Sequence, residues 1–159
     1  MAALAASTAQ AQGYRVYASN EYDANVTVID PKTETAIGSI KISGRPGDVR
    51  PRGMAVSPDG KTVYISVSDF LPQTETPEDA IVAIDVAKNE VTKTYRAGGN
   101  PERVAVSPDG KQIWAALEAT GQAVGIDAAT GAELAKFPTG VESEGVAVSP
   151  DGQIVYVTA

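Results

Sequence analysis

Short apolar and β-branched runs alternate with turns rich in Gly, Pro, Asp and Asn along most of the chain. No stretch holds the 3.6-residue apolar period of a capped helix, so the pattern predicts an all-β fold. Internal repetition organises it, because the word SPDG occurs at Ser57–Gly60, Ser107–Gly110 and Ser149–Gly152, at spacings of 50 and 42 residues. Each copy lies in one longer pattern: RGMAVSPDGKTVYISV, ERVAVSPDGKQIWAAL and EGVAVSPDGQIVYVTA.

Each SPDG word predicts a hairpin turn. Proline presets φ at the second turn position, Asp accepts local backbone hydrogen bonds, and Gly takes the left-handed conformation that follows a type I turn. A third strand ends in Ile29-Asp30, Ile84-Asp85 and Ile126-Asp127, where the Asp suits an Asx turn, and a fourth strand follows each of them.

Four antiparallel strands every 42 to 50 residues is the period of a β-propeller blade. A β-sandwich is the alternative, but it does not predict the same words in phase. The units run over about 14–43, 52–97, 103–139 and 145–159, with three, four, four and two strands. These 13 strands make about three four-stranded blades of a larger ring and do not close it.

The repeats resemble the YVTN-type β-propeller family. The words VYASN at 16–20 and YVTA at 156–159 are similar to the word that names the family, and RPRGMAVSPDGKTVYIS follows VTVID as it does there. The Arg50-Pro51-Arg52-Gly53 and Glu144–Val148 segments resemble, more narrowly, propellers associated with PQQ-dependent alcohol catabolism in Gram-negative bacteria. The resemblance implies a periplasmic binding or scaffold propeller.

An unclosed set of blades leaves apolar faces and unpaired strand edges exposed. Three explanations stay open: a fragment of a longer gene, an oligomer whose strands complete one another's blades, and a stable open arc.

Composition removes several classes of function. The chain of 159 residues carries a formal net charge of −7 and has a pI of about 4.5, which excludes a generally basic nucleic-acid or membrane-surface binder. It contains no His and no Cys, so a catalytic Ser-His or Cys-His pair, a His or thiolate metal site and a disulfide are all excluded. We therefore predict neither a catalytic set nor a cofactor or metal.

The N-terminus resembles the tail of an export signal. Residues 1–11 are small and uncharged, and Ala9-Gln10-Ala11 has the small-x-small form of a signal-peptidase site. The mature protein would begin at residue 12, and we expect it to be periplasmic or secreted. No apolar run is long enough to span a membrane.

Candidate ligand residues lie in the loops between blades. Such loops share one face of a propeller with the loops that join second and third strands, and binding sites usually use that face. The predicted ligand-binding residues at the channel mouth are Arg50, Arg52, Glu102, Arg103, Glu142 and Glu144. Arginine forks there would suit an anionic or polar small ligand, and mutually paired or solvated charges are the alternative.

The loop 69–79 makes the second unit longer than the third. Its Phe70 and Leu71 are candidates for a protein-partner contact. Its carboxylates Glu75, Glu78 and Asp79 do not have the spacing of a calcium loop, so no metal site is predicted.

Three classes of function follow. The first is a non-enzymatic periplasmic propeller that binds a protein partner or a small polar ligand, beside PQQ-dependent alcohol oxidation. The second is part of a propeller enzyme: IDAATGAELAKF resembles a blade motif of quinoprotein dehydrogenases, with Phe137 where those have Trp, and a lactonase-like propeller is the other version. The third is a cell-surface repeat protein. Self-association through the open blade edges is expected.

Overall fold

A computed structural model describes residues 14–42, 49–69, 76 and 79–159. All regular structure in these ranges is β. The strands are Val16–Asn20 (β1), Asn25–Asp30 (β2), Thr35–Lys41 (β3), Arg50–Val56 (β4), Thr62–Ser68 (β5), Ala80–Asp85 (β6), Glu90–Arg96 (β7), Pro101–Val106 (β8), Gln112–Leu117 (β9), Gln122–Asp127 (β10), Glu133–Pro138 (β11), Gly145–Val148 (β12) and Val155–Thr158 (β13).

The strands form four antiparallel sheets in chain order. Blade 1 is β1-β2-β3, blade 2 is β4-β5-β6-β7, blade 3 is β8-β9-β10-β11, and blade 4 is β12-β13. Strands β4, β8 and β12 contact one another in series and are the inner strands. The predicted fold is confirmed: the described chain is an all-β, unclosed part of a β-propeller with 13 strands.

The three SPDG turns have one hydrogen-bond pattern. In the first of them, the Ser57 hydroxyl donates to Asp59 Oδ1 at 2.6 Å and accepts from the Thr62 N–H at 2.9 Å. Gly60, Gly110 and Gly152 have φ of 71°, 73° and 72°, the left-handed conformation that the turn requires. Hydrogen bonds from Ser57 and from the Lys61 N–H lower the pKa of Asp59. Backbone capping therefore accounts for these aspartates.

The aspartates of the Ile-Asp turns accept local backbone hydrogen bonds, as expected. Asp30 and Asp85 form Asx turns, with the Lys32 N–H at 2.8 Å and the Ala87 N–H at 2.9 Å. Asp127 accepts from the Thr130 N–H, one residue further on, at 2.7 Å. The third and fourth strands shift register just before each such turn, between Val28 and Ile29, Ala83 and Ile84, and Gly125 and Ile126. Because all three units share this irregularity, they repeat the local backbone conformation as well as the sequence.

The hydrophobic core lies between blades. One cluster joins blades 1 and 2 and includes Val26, Val28, Val63, Ile65, Val82 and Ile84. The other joins blades 2 and 3 and includes Tyr64, Ile81, Tyr95, Ile113, Leu117, Val124 and Ile126. Each blade is thus stabilised by the faces of its neighbours.

Tyrosines also fasten blades together by hydrogen bonds. The Tyr17 hydroxyl in β1 donates to Asn89 Oδ1 at 3.0 Å, and the Tyr95 hydroxyl in β7 donates to the Ala128 carbonyl at 2.7 Å. Both acceptors lie in the turn after the third strand of the next blade.

The raised pKa of Tyr95 predicts that the protein loses stability at alkaline pH. Burial, followed by the influence of Tyr64, raises the pKa of Tyr95 to about 12, above the ordinary 10.0. The folded state holds the Tyr95 proton more tightly than the unfolded state does. The contribution of Tyr95 to the free energy of unfolding is therefore complete below pH 10 and is lost as the pH rises through about 12. We expect Tyr95→Phe to flatten the fall in unfolding free energy over that range, measured by denaturant unfolding. The matched control is Tyr14→Phe at an exposed position, and parallel curves for wild type and Tyr95→Phe would contradict the assignment.

Candidate functional site

Charged side chains from three blades meet around Arg52. Its Nη1 pairs with Glu102 Oε1 and lies 3.5 Å from Glu118 Oε2, and its Nε lies 4.0 Å from Glu21 Oε1. We call these four residues the Arg52 cluster. Glu21 belongs to the first unit, Arg52 to blade 2, and Glu102 and Glu118 to the third unit, so the cluster spans two blade boundaries.

The strands place these residues through irregularities at the start of each inner strand. The β4–β5 pairing shifts between Pro51 and Met54, and the β8–β9 pairing shifts between Pro101 and Val104. Such bulges re-aim the side chains beside them, here Arg52 and Glu102. The Ser19 hydroxyl donates to the Arg52 carbonyl at 2.9 Å and fixes the backbone there.

The Arg52 cluster is partly withdrawn from water. Side-chain exposure is 22% for Arg52, 9% for Glu102 and 20% for Glu118, against 43% for Glu21. Burial, and then Arg50, lower the pKa of Arg52 from its ordinary value, while Glu21, Glu118 and Glu144 act in the opposite direction. Three carboxylates share one guanidinium, which is therefore already engaged by acidic groups.

The structure brings only some of the six predicted ligand residues together. Arg52 and Glu102 are brought into contact, Arg50 is half-buried on the same strand as Arg52, and exposed Glu144 acts on Arg52 through its charge. Arg103 and Glu142 are exposed, and within the described ranges no ion pair joins either to the Arg52 cluster. Glu21 and Glu118 were not predicted as site residues, although each lies in a loop between second and third strands on the predicted binding face.

The predicted partner contacts Phe70 and Leu71 lie outside the described residues, as do residues 1–11, Glu75 and Glu78.

Asp79 is described and is fully buried. Its carboxylate accepts hydrogen bonds from the backbone N–H groups of Asp69, Thr76 and Asn100 at 3.3, 3.0 and 3.1 Å. Across the described ranges, no three His, Cys, Asp or Glu side chains are grouped so that they could hold a metal ion.

An apolar groove of about 570 Å³ lies between blade 3 and β13. Trp114 and Phe137 form its blade 3 side, stacked with ring centroids 6.3 Å apart and planes at 11°, and Val155 and Val157 line the other side. The Trp114 indole lies on the face of blade 3 that is turned to the next sheet. None of the Arg52 cluster lines this groove.

The fold and the interblade site define a β-propeller-type protein. No family model and no curated protein matches the chain. Among solved structures, it is similar to Kuenenia stuttgartiensis hydrazine synthase, with 30% sequence identity and a TM-score of 0.75. The similarity covers 91% of this chain and 40% of that one, so the present chain spans less than half of the relative. In the described part of the chain, no helix is long and apolar enough to cross a membrane.

Proposed function

We propose that this chain is a non-enzymatic periplasmic binding or scaffold module whose working surface is the loop face around the Arg52 cluster. The observation that carries the proposal is the convergence of charged side chains from three successive units at one place. Loops on a rigid scaffold are the usual location of binding groups. The export-type sequence at residues 1–11 supports the compartment.

The electrostatics favour one kind of ligand or partner. Within the Arg52 cluster, three carboxylates outnumber one guanidinium, and Glu102 and Glu118 already engage that guanidinium. The face therefore suits a polar group that donates hydrogen bonds, such as an ammonium or a protein side chain, better than an anion held by an arginine fork.

A place beside PQQ-dependent alcohol oxidation follows from the sequence resemblance. The segment Arg50-Pro51-Arg52-Gly53 carries that resemblance and also begins β4, where Arg52 meets its acidic neighbours. In this proposal the chain binds a component of the oxidation system and performs no oxidation itself.

Binding to periplasmic extract from an alcohol-grown Gram-negative source tests the proposal. We expect the purified chain to retain a specific protein or polar ligand. Glu118→Gln, which removes one carboxylate of the Arg52 cluster, should weaken retention about tenfold by changing one contact pair. Lys61→Gln, beside the exposed SPDG turn, is the matched control and should leave retention unchanged. Absence of any specific ligand, or equal retention by both variants, would count against the proposal.

The enzyme alternatives have a direct assay. The full chain is tested for lactone hydrolysis, and for dye reduction after incubation with PQQ and calcium. Turnover in either assay would overturn the non-enzymatic proposal.

A further inference from the structure

Three buried polar side chains at the junction of blades 2 and 3 carry hydrogen-bonding atoms that no protein group satisfies. Asn100 is fully buried and Ser68 is 1% exposed. Within the described ranges, Asn100 Nδ2 and Oδ1, Ser68 Oγ and Thr76 Oγ1 are buried and have no hydrogen-bond partner. Protein interiors rarely leave such atoms unsatisfied, because burying a polar group without a hydrogen bond is costly. We call Ser68, Thr76 and Asn100 the Asn100 site.

The Asp79 carboxylate brings the three residues of the Asn100 site together. Its Oδ2 accepts from the N–H groups of both Thr76 and Asn100, at 3.0 and 3.1 Å, so these two backbones meet at one oxygen atom. Its Oδ1 accepts from the N–H of Asp69, the residue that follows Ser68. The unsatisfied side chains therefore surround a carboxylate whose own hydrogen bonds come from the backbone.

The alternation of side chains along β5 directs Ser68 towards Asn100. The Ser66 hydroxyl donates to the Glu102 carbonyl at 2.7 Å, across the boundary between blades 2 and 3. Alternate residues of a strand point to the same face, so Ser68 faces blade 3 as Ser66 does. Asn100 precedes Glu102 by two residues and begins the segment that faces this end of β5. The Ser68 hydroxyl and Asn100 therefore lie at the same level of the blade boundary.

The repeat shows that the propeller architecture does not require this polar set. Strand pairing makes Gly121 the equivalent of Asp79, since each directly precedes the third strand of its blade. The distance to the SPDG turn makes Glu142 the equivalent of Asn100. Glu142 has a φ of 58° and Asn100 a φ of 56°, yet Glu142 is exposed. The left-handed backbone at this position therefore does not explain a buried amide.

The unsatisfied atoms match the chemistry of water. An amide offers both a donor and an acceptor, and each hydroxyl can do either, so the partner must donate and accept within one small molecule. A cation coordinated by oxygen would leave Asn100 Nδ2 unsatisfied and would lie beside the N–H groups that point at Asp79. Water meets both requirements.

We propose that the Asn100 site binds an internal water molecule, which the Asn100 amide and the Ser68 hydroxyl hold and which stabilises the junction of blades 2 and 3. A buried water makes about three hydrogen bonds, and the Asn100 site offers four atoms for them. The Asn100 carbonyl accepts from the Glu118 N–H at 3.1 Å. The bound water therefore also supports the backbone beneath the Arg52 cluster.

A high-resolution crystal structure of the full chain is the first test. We expect a density peak within about 2.7–3.2 Å of an Asn100 side-chain atom and of the Ser68 hydroxyl, the range of ordinary hydrogen bonds. A protein side chain in that position, or no peak, would overturn the proposal. So would a peak surrounded only by oxygen atoms at about 2.3–2.6 Å, because such distances identify a cation such as calcium.

Ser68→Ala tests whether the hydroxyl is hydrogen-bonded. A hydroxyl that holds a water should be missed, and we expect the ratio of unfolded to folded protein to rise about fivefold in denaturant unfolding. Ser39→Ala, at an exposed position of β3, is the matched control and should change the ratio by about twofold or less. An unchanged or more stable Ser68→Ala variant would overturn the proposal, since removal of an unsatisfied hydroxyl carries no loss.

Asn100→Gly tests the amide separately from the backbone conformation. Glycine accepts the left-handed φ, so loss of the amide should be the main effect, with a rise of about tenfold in the ratio of unfolded to folded protein. The matched control is Glu142→Gly, at the equivalent exposed position, which should change the ratio by about twofold or less. Equal effects at the two positions would mean that the amide holds nothing.

Hydrogen exchange tests the link to the Arg52 cluster. In Ser68→Ala, the Glu118 N–H, which donates to the Asn100 carbonyl, should exchange about fivefold faster than in the wild type. The control amide is the Gln112 N–H, which donates to the Ser107 hydroxyl in the SPDG turn of the same blade and should keep its rate. An equal change at both amides, or none at Glu118, would overturn this link.

Discussion

Replacement of Asp79 by alanine is expected to lower the free energy of unfolding by about 4 kcal/mol. The carboxylate is fully buried and accepts hydrogen bonds from the N–H groups of Asp69, Thr76 and Asn100. Alanine would leave these donors without their acceptor in the interior, and each such loss costs about 1–3 kcal/mol. Asp69 and Thr76 belong to the 69–79 loop and Asn100 to the connection between blades 2 and 3, so the damage falls on the junction of two blades.

Denaturant unfolding of three variants measures this effect. Asp79→Asn keeps an acceptor oxygen and should fall between wild type and Asp79→Ala. Asp59→Ala, in an exposed SPDG turn, is the matched control and should cost about 1 kcal/mol through loss of local turn hydrogen bonds. If Asp79→Ala costs no more than Asp59→Ala, the buried hydrogen bonds are not the stabilising element that the geometry indicates.

Local sequence was sufficient for the turns because their chemistry is local. In SPDG, the bonds run among Ser57, Asp59, Lys61 and Thr62, all inside or beside the word. The same holds for the Asp of each Ile-Asp turn. Repetition of these words then set the strand count and the order of strands within each blade, which is how the unclosed propeller was predicted.

Which residues make up the Arg52 cluster could be predicted only in part, because it depends on contacts between residues far apart in the sequence. Arg52 and Glu102 were predicted from their place before the inner strands, and both enter the Arg52 cluster. Glu21 and Glu118 also enter it, although Glu21 is 31 residues away from Arg52 in sequence and Glu118 is 66 away. Which loop acid reaches an arginine depends on the offset between neighbouring blades.

Asp79 shows the same limit for a buried group. In the sequence it is one of several acids in a long loop without the spacing of a calcium loop, where solvent exposure is the natural interpretation. In the structure its partners are backbone N–H groups from three places in the chain. A residue type indicates that a side chain can accept hydrogen bonds, but only the fold decides which donors it meets.

Gly53→Ala is expected to destabilise the chain by about 3 kcal/mol, because inner strands of neighbouring blades approach closely at this glycine. A Cβ at position 53 would lie 2.6 Å from the Glu102 carbonyl oxygen and 2.8 Å from the Arg103 Cα. These are backbone atoms of β8, so the strands themselves must separate, and overpacking of this kind costs about 1–3 kcal/mol or more. Separation would also strain the Ser66 hydroxyl, which accepts from the Gly53 N–H at 2.9 Å and donates to the Glu102 carbonyl at 2.7 Å.

Gly38→Ala provides the matched control, since the nearest atom to a Cβ there is the Val28 Cβ at 4.0 Å. We expect that substitution to change the unfolding free energy by less than about 1 kcal/mol, the range of ordinary Gly to Ala effects. Equal losses at positions 38 and 53 would show that β4 and β8 have room to separate. Because Arg52 and Glu102 flank the same contact, a large loss confined to Gly53→Ala would show that the close approach of β4 and β8, the two strands that carry this ion pair, is required for stability.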